Sequence, residues 1–130
     1  MSEFFTTVSE TEARNISPVT LAFVGDAVYT LFVRQNLVAG HDYPTGTLQK
    51  LSSAEVSAHG QNALLARIAP LLTEEEAAVF KRGRNAKKPT RSKNATVAEY
   101  NNSTGLEALI GYLYLIGNYA RLEELLNEEK

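Results

Sequence analysis

LAFVGDAVYTLFV, residues 21–33, decides the fold. Twelve of its thirteen residues are uncharged, and most are apolar or small. The stretch shows no sustained apolar–polar alternation, so a half-buried strand is a poor reading. Helix signals stand on both sides. Ser17-Pro18 supplies an N-cap residue and a proline for the first turn, and Gly40 supplies a stop. The expected helix runs from about Pro18 to Ala39. Phe23, Val24, Val28, Leu31 and Phe32 suggest that it is buried, which makes the lone Asp26 at its centre the question to answer.

Working outward, HDYPTG at 41–46 reads as a turn. A helical region follows from about Thr47 to Ala69, with apolar residues at Leu48, Leu51, Val56, Leu64, Leu65 and Ile68, and Gly60 as its divider. Ser53, Ser57 and Gln61 fall four residues apart, giving a polar stripe that either faces RNA or is simply solvated. Thr73 followed by three glutamates is a helix start, with Thr73 as cap and the acids at the positive end of the dipole. That helix should fade near Pro89, before a loop to about Thr96. Further helices are expected over about Thr104–Ile116 and, after Gly117-Asn118, from Tyr119 to about Glu128, with Leu122, Leu125 and Leu126 on one face. The first dozen residues read as frayed or weakly helical. No internal repeat is present. The expected architecture is all-α, five to seven helices in one domain over residues 1–130.

The 130 residues are 44% hydrophobic and 22% charged, as in ordinary globular chains. The absence of cysteine removes disulfides, thiolate metal sites and a thiol nucleophile. The apolar runs at 21–33 and 109–117 are too short to span a bilayer, and MSEFFTTVSETEARN does not resemble a signal peptide, so a cytoplasmic protein is expected. The net charge of −2 hides an asymmetry. KRGRNAKKPTRSK, 81–93, holds seven of the thirteen basic residues and no acid, leaving a net of −9 on the rest. Lys81, Arg82, Arg84, Lys87, Lys88, Arg91 and Lys93 therefore suggest a polyanion contact, although a solvated, flexible loop would have the same composition. No aromatic residue lies within the segment, which favours a duplex backbone over stacked single-stranded bases.

Asp26 has a counterpart. Glu107 is the only charged side chain between Glu99 and Arg121, within the apolar run TGLEALIGYLYLIG at 104–117. Two apolar helices with one acid each, packed side by side, would bring two carboxylates into one site. Oxygen ligands without histidine or cysteine suit magnesium, which keeps several of its waters and activates one against a phosphodiester. Gly25 leaves room for the close approach. A second reading makes both acids caps: Asp26 at a Gly-Asp turn, and Glu107 in a capping box with Thr104. Other constellations are weaker. His41 and His59 lack ligand spacing, Ser52 and Ser53 lack a catalytic partner set, and no glycine loop could cradle a phosphate.

LAFVGDAVYTLFVR at 21–34 resembles the signature helix of the ribonuclease III family, and GLEALIGYLYL at 105–115 resembles its second acidic motif. RGRNAK at 82–87, with the STGLEALIGYLYL run, is similar to the short bacterial branch called Mini-ribonuclease III. On this resemblance, a catalytic domain without a double-stranded-RNA-binding domain is expected. The resemblance implies an all-α, homodimeric, magnesium-dependent endonuclease domain that cuts double-stranded RNA, leaving a 5′-phosphate and a 3′-hydroxyl. It implies Asp26 and Glu107 as catalytic metal ligands and the RGRNAK region, Asn85 included, as an RNA contact. The implied substrate is a stem of 23S ribosomal RNA precursor, with assistance from a ribosomal protein. The larger enzymes carry a Glu four residues before the signature Asp and an Asp three residues before the second Glu. Here these places hold Ala22 and Thr104, which motivates an alternative, a non-catalytic RNA-binding or ribosome-assembly module.

Overall fold

A computed structural model describes residues 6–88 and 95–128. Its helices are α1 (Glu10–Arg14), α2 (Pro18–Val38), α3 (Thr45–Val56), α4 (Ala58–Ile68), α5 (Glu74–Asn85), α6 (Val97–Leu115) and α7 (Tyr119–Leu126). One 3₁₀ turn, Ala69–Leu71, links α4 to α5. The expected all-α architecture is present.

The ends of the elements follow local chemistry. Pro18 opens α2, where its missing N–H has no partner to lose. Beyond the other end Gly40 takes φ +78°, a left-handed conformation open to glycine at little cost. Thr73 caps α5 as expected, accepting from the Glu76 N–H at 3.1 Å while its own N–H donates to Glu76 Oε1 at 2.9 Å.

Four expectations need correction. The N-terminal segment is ordered from Ser9, which forms a capping box with Glu12 and starts α1; Ala13 is fully buried. The long central helix breaks at Ser57, the N-cap of α4, and Gly60 lies inside α4. α6 begins at Val97, seven residues before Thr104, behind a second Thr-x-x-Glu box made by Thr96 and Glu99. Asp26 and Glu107 both lie well inside helices, so neither is a cap. Thr104 gives its hydroxyl to the Tyr100 carbonyl of the preceding turn at 3.1 Å.

α6 is the central helix, with residues 103–106 and 108–113 buried against α2, α4, α5 and α7. Leu21, Leu64, Ile68, Leu106, Leu109 and Tyr112 are the largest fully buried side chains. α2 buries a narrower face than its composition suggests, namely Leu21, Ala22, Gly25, Tyr29 and Val33. Phe23 is 80% exposed and Leu31 62% exposed. At the far end Arg121 on α7 donates to both carboxylate oxygens of Glu76, at 2.8 and 2.9 Å, and to the Leu71 carbonyl at 2.7 Å, tying α7 to α5.

Candidate active site

The site is made by a helix crossing so close that side chains cannot fit in it. A Cβ on Gly25 would sit 1.8 Å from the Glu107 carbonyl oxygen, and one on Gly111 would sit 2.0 Å from the Leu21 carbonyl oxygen. The two glycines therefore let the backbones of α2 and α6 touch at two points. Asp26 follows one glycine, and Glu107 lies one turn before the other. The crossing brings them together: Asp26 is close enough for its side chain to raise the Glu107 carboxyl above its ordinary value.

Their environments differ. Asp26 is exposed, at the border of the buried face of α2, contrary to the expectation of burial. Glu107 is half-buried. Burial pushes its carboxyl up to about 8, the Asp26 charge adds to the rise, and a hydrogen bond from Gln61 opposes it. Gln61 is 2% exposed and donates from Nε2 to Glu107 Oε2 at 3.1 Å.

The positions that hold acids in the larger enzymes hold nothing that binds a cation here. Ala22 and Thr104 are both buried, and the Thr104 hydroxyl is committed to its own helix. Among the described residues no group of three or more histidines, cysteines or acids is placed to hold a metal ion. The pair still fits a hydrated magnesium ion. It offers hard oxygen ligands only, Asp26 is open to water, and among the described residues no cation is paired with the half-buried Glu107.

Other candidate residues lie elsewhere. His41 stacks on Tyr43, and His59 is exposed with Nδ1 3.4 Å from Glu99. The expected polar stripe Ser53–Ser57–Gln61 does not exist, because the helix break separates its members. Ser57 caps α4, while Gln61 turns inward to the carboxylate pair. Gln61 is thus the residue whose role sequence reasoning missed: its four-residue spacing with Ser53 and Ser57 marked it only as part of a polar stripe.

The basic segment divides into structural and outward-facing parts. Gly83 is buried where a Cβ would meet Ala108 and Gly105 at 2.8 and 2.9 Å, so RGRN packs α5 onto α6 through its glycine. Arg82 reaches back to the Arg14 and Ile16 carbonyls at 3.1 and 3.5 Å, closing the end of α1. Arg84 lies over the Phe80 ring and bonds the Asn85 side chain. Lys88 bonds the Arg84 and Ala86 carbonyls at 3.0 and 2.6 Å, closing α5. Lys81, Asn85 and Lys87 are exposed. Arg91 and Lys93 lie outside the described residues.

Residues 19–118 match the ribonuclease III domain. The Mini-ribonuclease 3 of Thermoanaerobacter sp. is 45% identical over 112 residues, spanning 86% of this chain and 79% of that one. That of Symbiobacterium thermophilum is 46% identical over 111 residues, 85% of each chain. A crystal structure of a Fusobacterium nucleatum protein, 35% identical, superposes with a TM-score of 0.80 over 88% of this chain and 91% of that one. The fold and the acid-bearing crossing define a nuclease domain of the ribonuclease III type. The chain belongs to the ribonuclease III family of divalent-metal-dependent endoribonucleases acting on double-stranded RNA, and within it to the Mini-ribonuclease 3 group.

Proposed function

We propose that Asp26 and Glu107 together hold a magnesium ion and that the chain, as a homodimer, cleaves a double-stranded stem of 23S ribosomal RNA precursor. The observation that carries this reading is the meeting of the two carboxylates across the α2–α6 crossing. When bound, the ion supplies a water of lowered pKa and neutralises charge on the phosphate oxygens. The protein's part is positional. Asp26, at the solvent edge, faces the incoming phosphate. Glu107 is held from behind by Gln61, and the main-chain contact at Gly25 and Gly111 fixes the separation of the two helices. Lys81, Arg84, Asn85 and Lys87 meet the duplex backbone, which orients the substrate and adds little base specificity. The products carry a 5′-phosphate and a 3′-hydroxyl.

The dimer reading rests on α2. At about 100° per residue, Phe23, Ala27, Leu31 and Val38 share one exposed face. It borders a groove of about 460 Å³ along Val28, Phe32, Tyr114, Tyr119 and Leu122. Asp26 lies about 60° around the helix from Phe23, so a second copy seated on this face would set the two acidic sites side by side, one for each strand. Phe23, exposed, and Phe32, half-buried, are the aromatic residues of α2 available to such a contact. Tyr29 and Tyr112 are 3% and 1% exposed and belong to the core.

The test is cleavage of a long RNA duplex with magnesium or with chelator. Asp26→Asn should lose cleavage by a factor of about 10³ or more while keeping its melting temperature and its metal-free RNA affinity. An active Asn variant would end the proposal.

A further inference from the structure

The acidic pair does not account for Gln61. This side chain is 2% exposed, and both ends of its amide raise a question. Nε2 has two hydrogens and two acceptors: the Val56 carbonyl at 3.3 Å and Glu107 Oε2 at 3.1 Å. Oε1 is buried without a hydrogen-bond partner among the described residues. A buried, unpartnered carbonyl oxygen is costly, so the placement needs a compensating reason.

We infer that Gln61 is the positioning residue of the metal site, presenting its amide N–H to Glu107 so that the carboxylate is aimed for a divalent cation. This rests on the metal reading proposed above and extends it to a residue with no charge of its own.

The argument starts at the break between α3 and α4. Val56 is the last residue of α3, so its carbonyl is one of the acceptors that a helix end leaves without an intrahelical partner. Ser57 turns the chain and caps α4, accepting from the Gly60 N–H at 3.0 Å and donating to the Ala54 carbonyl at 2.7 Å. Gly60 lets the end of α3 press on the first turn of α4; a Cβ there would lie 2.4 Å from the Ala54 carbonyl oxygen. The Val56 carbonyl consequently reaches Gln61. Because that carbonyl can only accept, it determines which end of the amide is the donor end. The second N–H, on the same nitrogen, is then the one that meets Glu107. An N–H bonded to one carboxylate oxygen fixes the orientation of the group and leaves the other oxygen for a ligand. This is the part that partners behind the ligands play in metal sites, where their loss costs 10- to 100-fold in metal affinity or activity. The unpartnered Oε1 is the consequence of committing both hydrogens.

The probe is magnesium alone, titrated against the melting temperature of the full chain, together with steady-state cleavage of a duplex. Gln61→Met keeps length and packing and removes both hydrogen bonds. Its magnesium midpoint should rise about tenfold or more and its kcat should fall, with KM for RNA and metal-free RNA affinity unchanged. Gln61→Asn keeps the amide one methylene short of bridging its two acceptors and should fall between wild type and Met. A purely structural role would lower the metal-free melting temperature without moving the midpoint, and that result overturns the inference. So does loss of folding in both variants, or loss of metal-free RNA binding. If wild-type melting ignores magnesium, the metal reading and this inference fall together. If wild type responds and both variants match its midpoint, the inference falls alone.

Discussion

Without a cation, Glu107 retains its proton to a higher pH than an exposed glutamate, because burial opposes the charge and Asp26 repels it. The group therefore contributes to stability below the unfolded carboxyl pKa, and the contribution is lost as pH rises through the folded value near 8. Metal-free wild type should melt at progressively lower temperature between about pH 5 and pH 9. Magnesium should restore the loss at the alkaline end, and Glu107→Gln should flatten both effects; melts in chelator and in magnesium across that range check this. Glu76 works in the opposite sense. Arg121 holds its carboxyl below the usual range, so its contribution is present above the unfolded pKa and disappears on acidification. Asp26 and Glu107 were legible in the sequence as lone charges in apolar runs. Gln61 was not, because a glutamine in a helix looks solvated until the partner helix is known.

At the scale of elements, the crossing of α2 and α6 is the sensitive joint. Gly25→Ala would drive a methyl group into a main-chain carbonyl rather than a yielding side chain. It should cost about 3 kcal/mol or more and reduce cleavage in whatever fraction still folds, measured by denaturant unfolding beside the duplex assay. The sequence pointed to room beside Gly25, but Gly111 reads as one more small residue in an apolar run. The start of α6 was misplaced for a physical reason. Asn101 and Asn102 are weak helix formers, and the Thr104–Glu107 pair imitates a cap. Tertiary packing overrides both, and the earlier Thr96–Glu99 pair does the capping. In α5 the same cations do different work. Arg82→Ala should lower the melting temperature because it closes α1. Replacing Lys81 and Lys87 together should leave melting unchanged and reduce the salt slope of RNA binding by about one unit for each phosphate no longer neutralised.

The whole molecule separates charge and surface by region. The basic residues gather at one end of α5 and beyond, while the rest of the chain is acidic. An acidic body repels a polyanion except at that end, which narrows the approach of a duplex. The apolar stripe of α2 borders the acidic pair, so in the proposed dimer assembly and catalysis would share one helix. Phe23→Glu should shift the chain to monomer in sedimentation and weaken duplex cleavage with no loss of melting temperature beyond that of assembly. Composition revealed the charge asymmetry directly. The stripe was hidden, because α2 is apolar almost all round and only the fold shows which side α6 covers.

The contact of main chain with main chain at Gly25 and Gly111 carries one more consequence. Carboxylates aligned by flexible side chains drift apart on warming well before a protein melts. Here the spacing is set by backbone against backbone, and it persists until the helices themselves part. Heat inactivation is therefore expected to follow the cooperative transition, and the core can be recast for hotter or colder habitats while those two positions stay small.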